Sequence, residues 1–236
     1  MFAYDPAVAA AFPAARAGVV HAAGVAGGPA PEALRAEYAA EQRAAAGRLA
    51  ATPVAEMPSI AAWRRAFSAF GVRPTQHRSA AEALLRRLGK EGAIPSIGAL
   101  VDIGNLVSIR HALPVAVFDL AALGGGVTVR FADGDERFTD LGSGADATPE
   151  RGEVVLVDRH GAVVARRWCW RQSTHSVAGP DTSEALLLVE GHHDAAAADV
   201  AAAVADLVAL LQEHQPGCRT SARTFAAGGA GGGAGR

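Results

Sequence analysis

Several common devices are scarce or missing in this chain. Its two cysteines, Cys169 and Cys218, lie far apart and form no CxxC pair; neither a zinc site nor a disulfide framework is indicated. No apolar run approaches the ~18 residues of a membrane span. Neither sign of charge dominates: 22 Lys and Arg against 24 Asp and Glu leave a net charge of −2. A protein basic throughout, as nonspecific nucleic-acid binders are, is thereby excluded, and any RNA contact must come from a local patch. The opening MFAYDPAVAAAF has no basic stretch and carries Asp5, so a secretory signal peptide is not expected. G-x-S-x-G is absent, and Gly124 to Gly126 lead into a strand pattern rather than the helix a phosphate loop needs. The expectation is a soluble cytoplasmic protein with no metal or other cofactor.

Half of the residues are apolar, enough for a real core, although many are alanine and favour helix. Phe12 to Val25 reads as a strand ended by Gly27-Gly28-Pro29. Pro31 opens a helix from Glu32 to about Leu49. Ser59 is the expected N-cap of a helix through Phe70, with Ile60, Trp63, Phe67 and Phe70 at helical spacing and Gly71 as its stop. Ser79 and Glu82 form a capping-box pattern that starts a helix ending near Gly89, with Arg86, Arg87 and Lys90 facing out. Ile97 to Val107 is again helical. Beyond Pro114, short β-branched runs alternate with turns, of which Asp133-Gly134 and His160-Gly161 read as tight hairpins, and LLLVEG ends them at Gly191. A helix from Ala195 to His214 closes the core. Helices, then a strand block, then a helix predict an α+β fold of mainly antiparallel sheets. The expected layout is an N-terminal extension over 1–70, a core domain over 71–215 and a disordered Gly/Ala-rich tail over 216–236.

Polar residues inside apolar runs mark the candidate chemistry. Asp102, Asn105 and Asp119 sit in LVDIGNLVSIRHALPVAVFD, where buried polar groups must be hydrogen-bonded. Glu190 ends the last hydrophobic strand, placed either to bind an amine and orient water or to sit solvated. Arg166-Arg-Trp-Cys-Trp-Arg171, read as a strand, puts Arg166, Trp168 and Trp170 on one face and Arg167, Cys169 and Arg171 on the other. The tryptophans are either core or a stacking surface for a base or substrate ring. His192-His193-Asp194 holds metal-ligand types, but neighbouring histidines on an extended segment point apart.

Three ordered blocks resemble the tRNA-editing module, the B-three/four domain, of the phenylalanyl-tRNA synthetase beta subunit. They are Val101-Asp-Ile-Gly-Asn105 with Leu113-Pro-Val-Ala-Val-Phe-Asp119; Val127-Thr-Val-Arg130 with Asp135, Glu136 and Leu141; and Val154-Val-Leu-Val-Asp158 with Thr182 and Leu187-Leu-Val-Glu190. The resemblance covers roughly residues 70 to 192. In length and layout the chain looks most like freestanding versions of the module. The resemblance implies an editing-domain-like fold and hydrolysis of the ester of a mischarged tRNA, the second sieve that binding alone does not supply. It makes Asn105 the pocket asparagine and Glu190 the pocket glutamate, the implied catalytic pair. Backbone N–H groups at Ser173 and Thr174 would then face the oxyanion, and Trp168 and Trp170 the substrate. Arg166, Arg167, Arg171, Arg86, Arg87 and Lys90 would meet phosphates of the implied partner, tRNA. The chain departs from the family at Ala116, where the module has histidine. That departure leaves as rival a non-catalytic module binding an amino acid, nucleotide or RNA in the same pocket.

Overall fold

A computed structural model describes residues 2–228. The chain opens with β1 (Phe2–Tyr4), α1 (Pro6–Ala11) and β2 (Arg16–Ala23). Four helices follow: α2 (Glu32–Ala51), α3 (Pro58–Ala69), α4 (Ala80–Glu91) and α5 (Ala99–His111). The strand block comprises β3 (Val115–Asp119), β4 (Val127–Phe131), β5 (Phe138–Thr139), β6 (Asp146–Ala147), β7 (Val154–Asp158), β8 (Val163–Arg166), β9 (Arg171–Gln172) and β10 (Glu184–Gly191). Helix α6 (Ala196–His214) and β11 (Arg219–Ala226) complete it. The fold is α+β, as expected. A four-stranded sheet has the order β11-β2-β10-β3, and a five-stranded sheet the order β1-β4-β7-β8-β9. Every pair is antiparallel except β1 with β4.

Strand β10 is central because both of its faces are apolar. Ala185, Leu187 and Val189 pack into a core built with α2, α4, α5 and α6. Leu186 and Leu188 turn the other way, into a core shared with Val129, Leu156 and Val164 of the five-stranded sheet, with Trp168 from the turn between β8 and β9, and with Trp63 and Phe67 of α3. Strand β2 divides likewise, Val20 and Ala22 to the first core and Ala17 and Val19 to the second. Alanine-rich α2 contributes Leu34, Tyr38 and Ala45, together with a buried Gln42. The Gln42 amide is satisfied at both ends, donating to Ile94 O (3.1 Å) and accepting from Ile94 N (2.7 Å). Small residues let helices approach the sheet. A methyl on Gly18 would stand 2.2 Å from Val204 Cγ2 of α6, and one on Gly104 2.6 Å from Val117 Cγ2 of β3.

The structure departs from the expected elements in several places. The strand expected over 12–25 begins only at Arg16, because Asp5 caps α1 through Ala7 N and Pro6 occupies its first turn. Helix α3 starts two residues early, with Met57 as its N-cap and Pro58 in its first turn, and Ser59 Oγ instead donates to Ala112 O (2.9 Å). Helix α4 passes Gly89 and stops at left-handed Gly92 (φ 77°). The run Arg166 to Arg171 is not one strand: residues 167–170 form a turn that pairs Arg166 of β8 with Arg171 of β9, with Arg167 and Trp168 at φ 44° and 59°. Finally, residues 219–226 of the expected tail form β11, paired with β2 along its whole length. Without β11 that edge of β2 would present unpaired N–H and C=O groups. Residues 229–236 lie outside the described residues.

The contact at Gly18 yields a stability prediction. Gly18→Val forces α6 off the sheet and should cost about 1–3 kcal/mol in urea denaturation. Gly28→Ala, with nothing within 4 Å of the added methyl, should stay within about 0.5 kcal/mol of the parent.

Candidate active site around Glu190

Glu190 lies on the face of β10 that carries Leu186 and Leu188, so its side chain points toward the five-stranded sheet. It is 3% exposed. Tyr4 Oη donates to Oε1 at 2.7 Å, and Trp168 Nε1 stands 3.1 Å from both carboxyl oxygens. A carboxylate offers about four acceptor sites, so Oε2 keeps capacity for another donor. Glu190 borders a cavity of about 80 Å³ walled by Ala80, Val115, Ala116, Leu156, Trp168, Cys169, Trp170 and Arg171, among others. Register explains Ala116: it pairs with Leu188 across β3 and β10, diagonal to Glu190 on the same face. Burial raises the Glu190 pKa to about 7 against the opposing pull of the Tyr4 and Trp168 hydrogen bonds. Burial also pushes up the Tyr4 phenol and the Cys169 thiol, each raised further by the charge of Glu190.

The turn between β8 and β9 positions both tryptophans. Glu153 organises it, accepting from Arg166 Nε (3.0 Å), Arg166 Nη2 (2.8 Å) and Arg167 N (2.8 Å). These charge-assisted bonds oppose the cost, on the order of 1 kcal/mol each, of two left-handed non-glycine residues. Trp168 is thereby driven into the core, edge-on to Phe12 (5.0 Å), Trp63 (5.3 Å) and His192 (4.7 Å). Trp170 points outward instead. Arg167 and Arg171 stack on its ring at 4.6 and 4.9 Å, and His77 meets it edge-on at 4.7 Å. Burial, with smaller contributions from His193 and Arg16, lowers the His192 pKa to about 3, so its ring is neutral.

Of the residues singled out in the sequence, the structure gathers Glu190, Trp168, Trp170 and Arg171 around the cavity and leaves others out. Asn105 is not on its wall; it stands beside the Tyr38 phenol of α2, because its place on α5 is one helical step from the face that Gly104 turns toward β3. Ser173 and Thr174 are also absent from the wall. Ser173 N is already spent on Val164 O (2.8 Å), its Oγ accepts from His175 N (3.2 Å), and Thr174 is exposed. Arg166 is buried against Glu153, so its guanidinium does not face solvent or a phosphate. Arg86 pairs with Glu82 and Arg87 with Glu91, both at 2.8 Å, and Lys90 is exposed beside them on α4. That helix begins at Ala80 on the cavity wall, tied by Ala80 N to Cys169 O (2.9 Å).

His192 and His193 diverge: His193 pairs with Asp199 (2.7 Å) while His192 sits among aromatic rings. Among the described residues, the close group of metal-ligand types is instead Glu37, Glu213 and His214, on α2 and α6. Asp102 accepts from Ser96 Oγ and Ile97 N, and Asp119 from Ala121 N and Thr182 Oγ1; both are structural pins. Sequence reasoning missed Tyr4, which lies 186 residues from its partner Glu190. Its one signal was a tyrosine in an otherwise apolar opening strand.

Two measurements check this arrangement. Glu190 holds its proton more tightly folded (about 7) than at its ordinary 4.5, so the folded state binds more protons between those values. Its contribution is complete below about pH 4.5 and is lost as pH rises through about 7. His192 runs oppositely: kept neutral in the fold, it costs stability as pH falls from 6.5 toward 3. In a urea-denaturation series, the parent should lose about 3 kcal/mol relative to Glu190→Gln between pH 4 and pH 8. Glu153→Ala leaves Arg166 buried and unpaired and should cost about 3–5 kcal/mol by the same assay.

Comparison with known proteins bears on what the arrangement serves. A profile of the B3/4 domain matches residues 62–213. The phenylalanine–tRNA ligase beta subunit of Aliivibrio fischeri is 40% identical over 79 residues, 34% of this chain and 9% of that protein. That of Vibrio cholerae is 36% identical over 103 residues, 44% of this chain and 12% of that protein. The chain therefore matches only about a tenth of the length of these relatives. An N-terminal fragment of the phenylalanyl-tRNA synthetase beta-subunit from Pyrococcus horikoshii shares the fold, with a TM-score of 0.50 at 12% identity, over 93% of this chain and 50% of that one. Among the described residues, no helix is long and apolar enough to cross a membrane.

Proposed function

The chain belongs to the B3/4 domain family, and from that premise we propose that it is a trans-acting aminoacyl-tRNA deacylase working in the cytoplasm. An aminoacyl ester is already activated, so the protein need only hold the carbonyl, direct a water and receive a proton. The carrying observation is Glu190: a buried carboxyl with an oxygen open to further donors, bordering a cavity, with its pKa raised to about 7. A general base works best when its pKa lies near the working pH. Ionised Glu190 takes a proton from water as the water attacks the ester carbonyl. The carbon–oxygen bond to the terminal ribose then breaks, and the proton passes to the departing hydroxyl. Trp168 fixes the carboxyl and Tyr4 shares its charge. Arg171 on the cavity wall, with Arg167 beside it on the Trp170 ring, supplies positive charge for the tRNA terminus. Arg86, Arg87 and Lys90 on α4 extend that charge about 10–15 Å farther from Ala80.

A second reading is favoured by one residue. Ala116 stands on the cavity wall and brings no titratable group, so a non-catalytic module binding an aminoacyl group, nucleotide or RNA would use the same pocket without hydrolysis. Release of amino acid from a panel of purified aminoacyl-tRNAs separates the two. Catalysis should accelerate at least one member over buffer, with a rate that rises through about pH 7 as Glu190 ionises. Glu190→Gln should then lower that rate about 10²–10⁴-fold. Binding that weakens in the variant, with no hydrolysis in the parent, would establish the module reading instead.

A further inference from the structure

The cavity beside Glu190 is small, and its walls are held from behind. Its volume is about 80 Å³, whereas a protein cavity that accepts benzene measures about 150 Å³. A phenyl or phenol ring is too large for it; a hydrogen, methyl or hydroxymethyl side chain is not. The lining is mainly apolar, from Ala80, Val115, Ala116, Leu156, Ala165 and Leu188, so it favours an uncharged group.

Expansion is opposed on each side. Trp168 is fully buried, wedged edge-on between Phe12 and Trp63 and hydrogen-bonded to Glu190. Trp170 is flanked by the guanidiniums of Arg167 and Arg171 and by His77. Arg171 is itself held near Asp140 (3.5 Å). Ala116 lies on β3, ladder-paired to β10. Close-packed surroundings of this kind yield little to an oversized group.

We propose that this pocket selects by size: it takes aminoacyl groups with side chains from glycyl to threonyl and excludes phenylalanyl and tyrosyl, with Ala116 and Trp170 as the walls that set the limit. The proposal rests on the aminoacyl-site reading above and adds the class of substrate. The unused acceptor capacity of Glu190 further favours a small group that carries a donor, such as the seryl hydroxyl.

The test measures binding without turnover. The probes are 3′-deoxy-3′-(aminoacylamino)adenosines, whose amide resists hydrolysis, bearing glycyl, alanyl, seryl, phenylalanyl and tyrosyl groups. The full chain should bind the three small probes at least ten-fold more tightly than the two aromatic ones by calorimetry. Trp170→Ala opens the wall and should gain affinity for the phenylalanyl probe, a gain that a damaged fold would not produce. Ala116→Leu fills the pocket and should weaken the alanyl and seryl probes at least ten-fold with the far-ultraviolet circular dichroism unchanged. Aromatic probes that bind the parent as tightly as small ones would overturn the proposal, as would an absence of binding by all five. Size-ranked binding with no hydrolysis of any aminoacyl-tRNA would sink the deacylase reading and leave the size rule standing. Hydrolysis of tyrosyl-tRNA by the parent at the rate of alanyl-tRNA would do the reverse.

Discussion

A carboxyl group buried at the end of a strand with apolar faces is the constraint on which the site depends. Strand β10 is paired on both edges and packed on both faces, so Glu190 enters a region where an isolated charge is costly. Two neutral donors compensate it, and neither is close in the chain. Tyr4 comes from β1 at the edge of the five-stranded sheet, and Trp168 from the turn between β8 and β9. The remaining cost appears as a pKa raised to about 7. The same burial that weighs against the charged form gives the group a proton affinity suited to chemistry near neutrality.

The turn that delivers Trp168 is the second link. Its two left-handed residues persist because Glu153 binds Arg166 and the backbone N–H of Arg167 together. One tryptophan is thereby locked in the core while Trp170 is left at the cavity mouth between two arginines. Residues that look alike in the sequence acquire separate tasks. Arg166 anchors the turn, Arg167 and Arg171 stack on Trp170, Trp168 hydrogen-bonds the carboxyl and Trp170 bounds the cavity.

Local signals were readable where their physics is local. The Ser79 cap on Glu82 N, the helical period through Ile60, Trp63 and Phe67, and the hairpin turn at Gly161 between β7 and β8 appear in the structure. The hairpin expected at Gly134 does not, because β4 pairs with β1 and β7 and β5 with β6. Nor was the turn at Arg166 to Arg171 readable, because RRWCWR imitates the two-residue period of a strand while a distant glutamate decides its conformation. Strand β11 was hidden by the composition around it: its pairing is supplied by β2, almost two hundred residues away. Of the site, Glu190 was legible as a carboxyl ending an apolar run, whereas Asn105 was expected in the pocket and instead lies against α2.

Residue order alone carried the fold class, most helices, the strand block and the family, because propensity, capping and apolar period act over a few residues and ordered motifs survive in the chain. Only the tertiary structure decided which polar groups meet. Tyr4 and Glu190, Glu153 and Arg166, and Ala116 and the cavity are brought together by sheet register and by one turn, and no pattern within a short window encodes a distance across two sheets. The cavity itself exists only as the gap left between those packed elements.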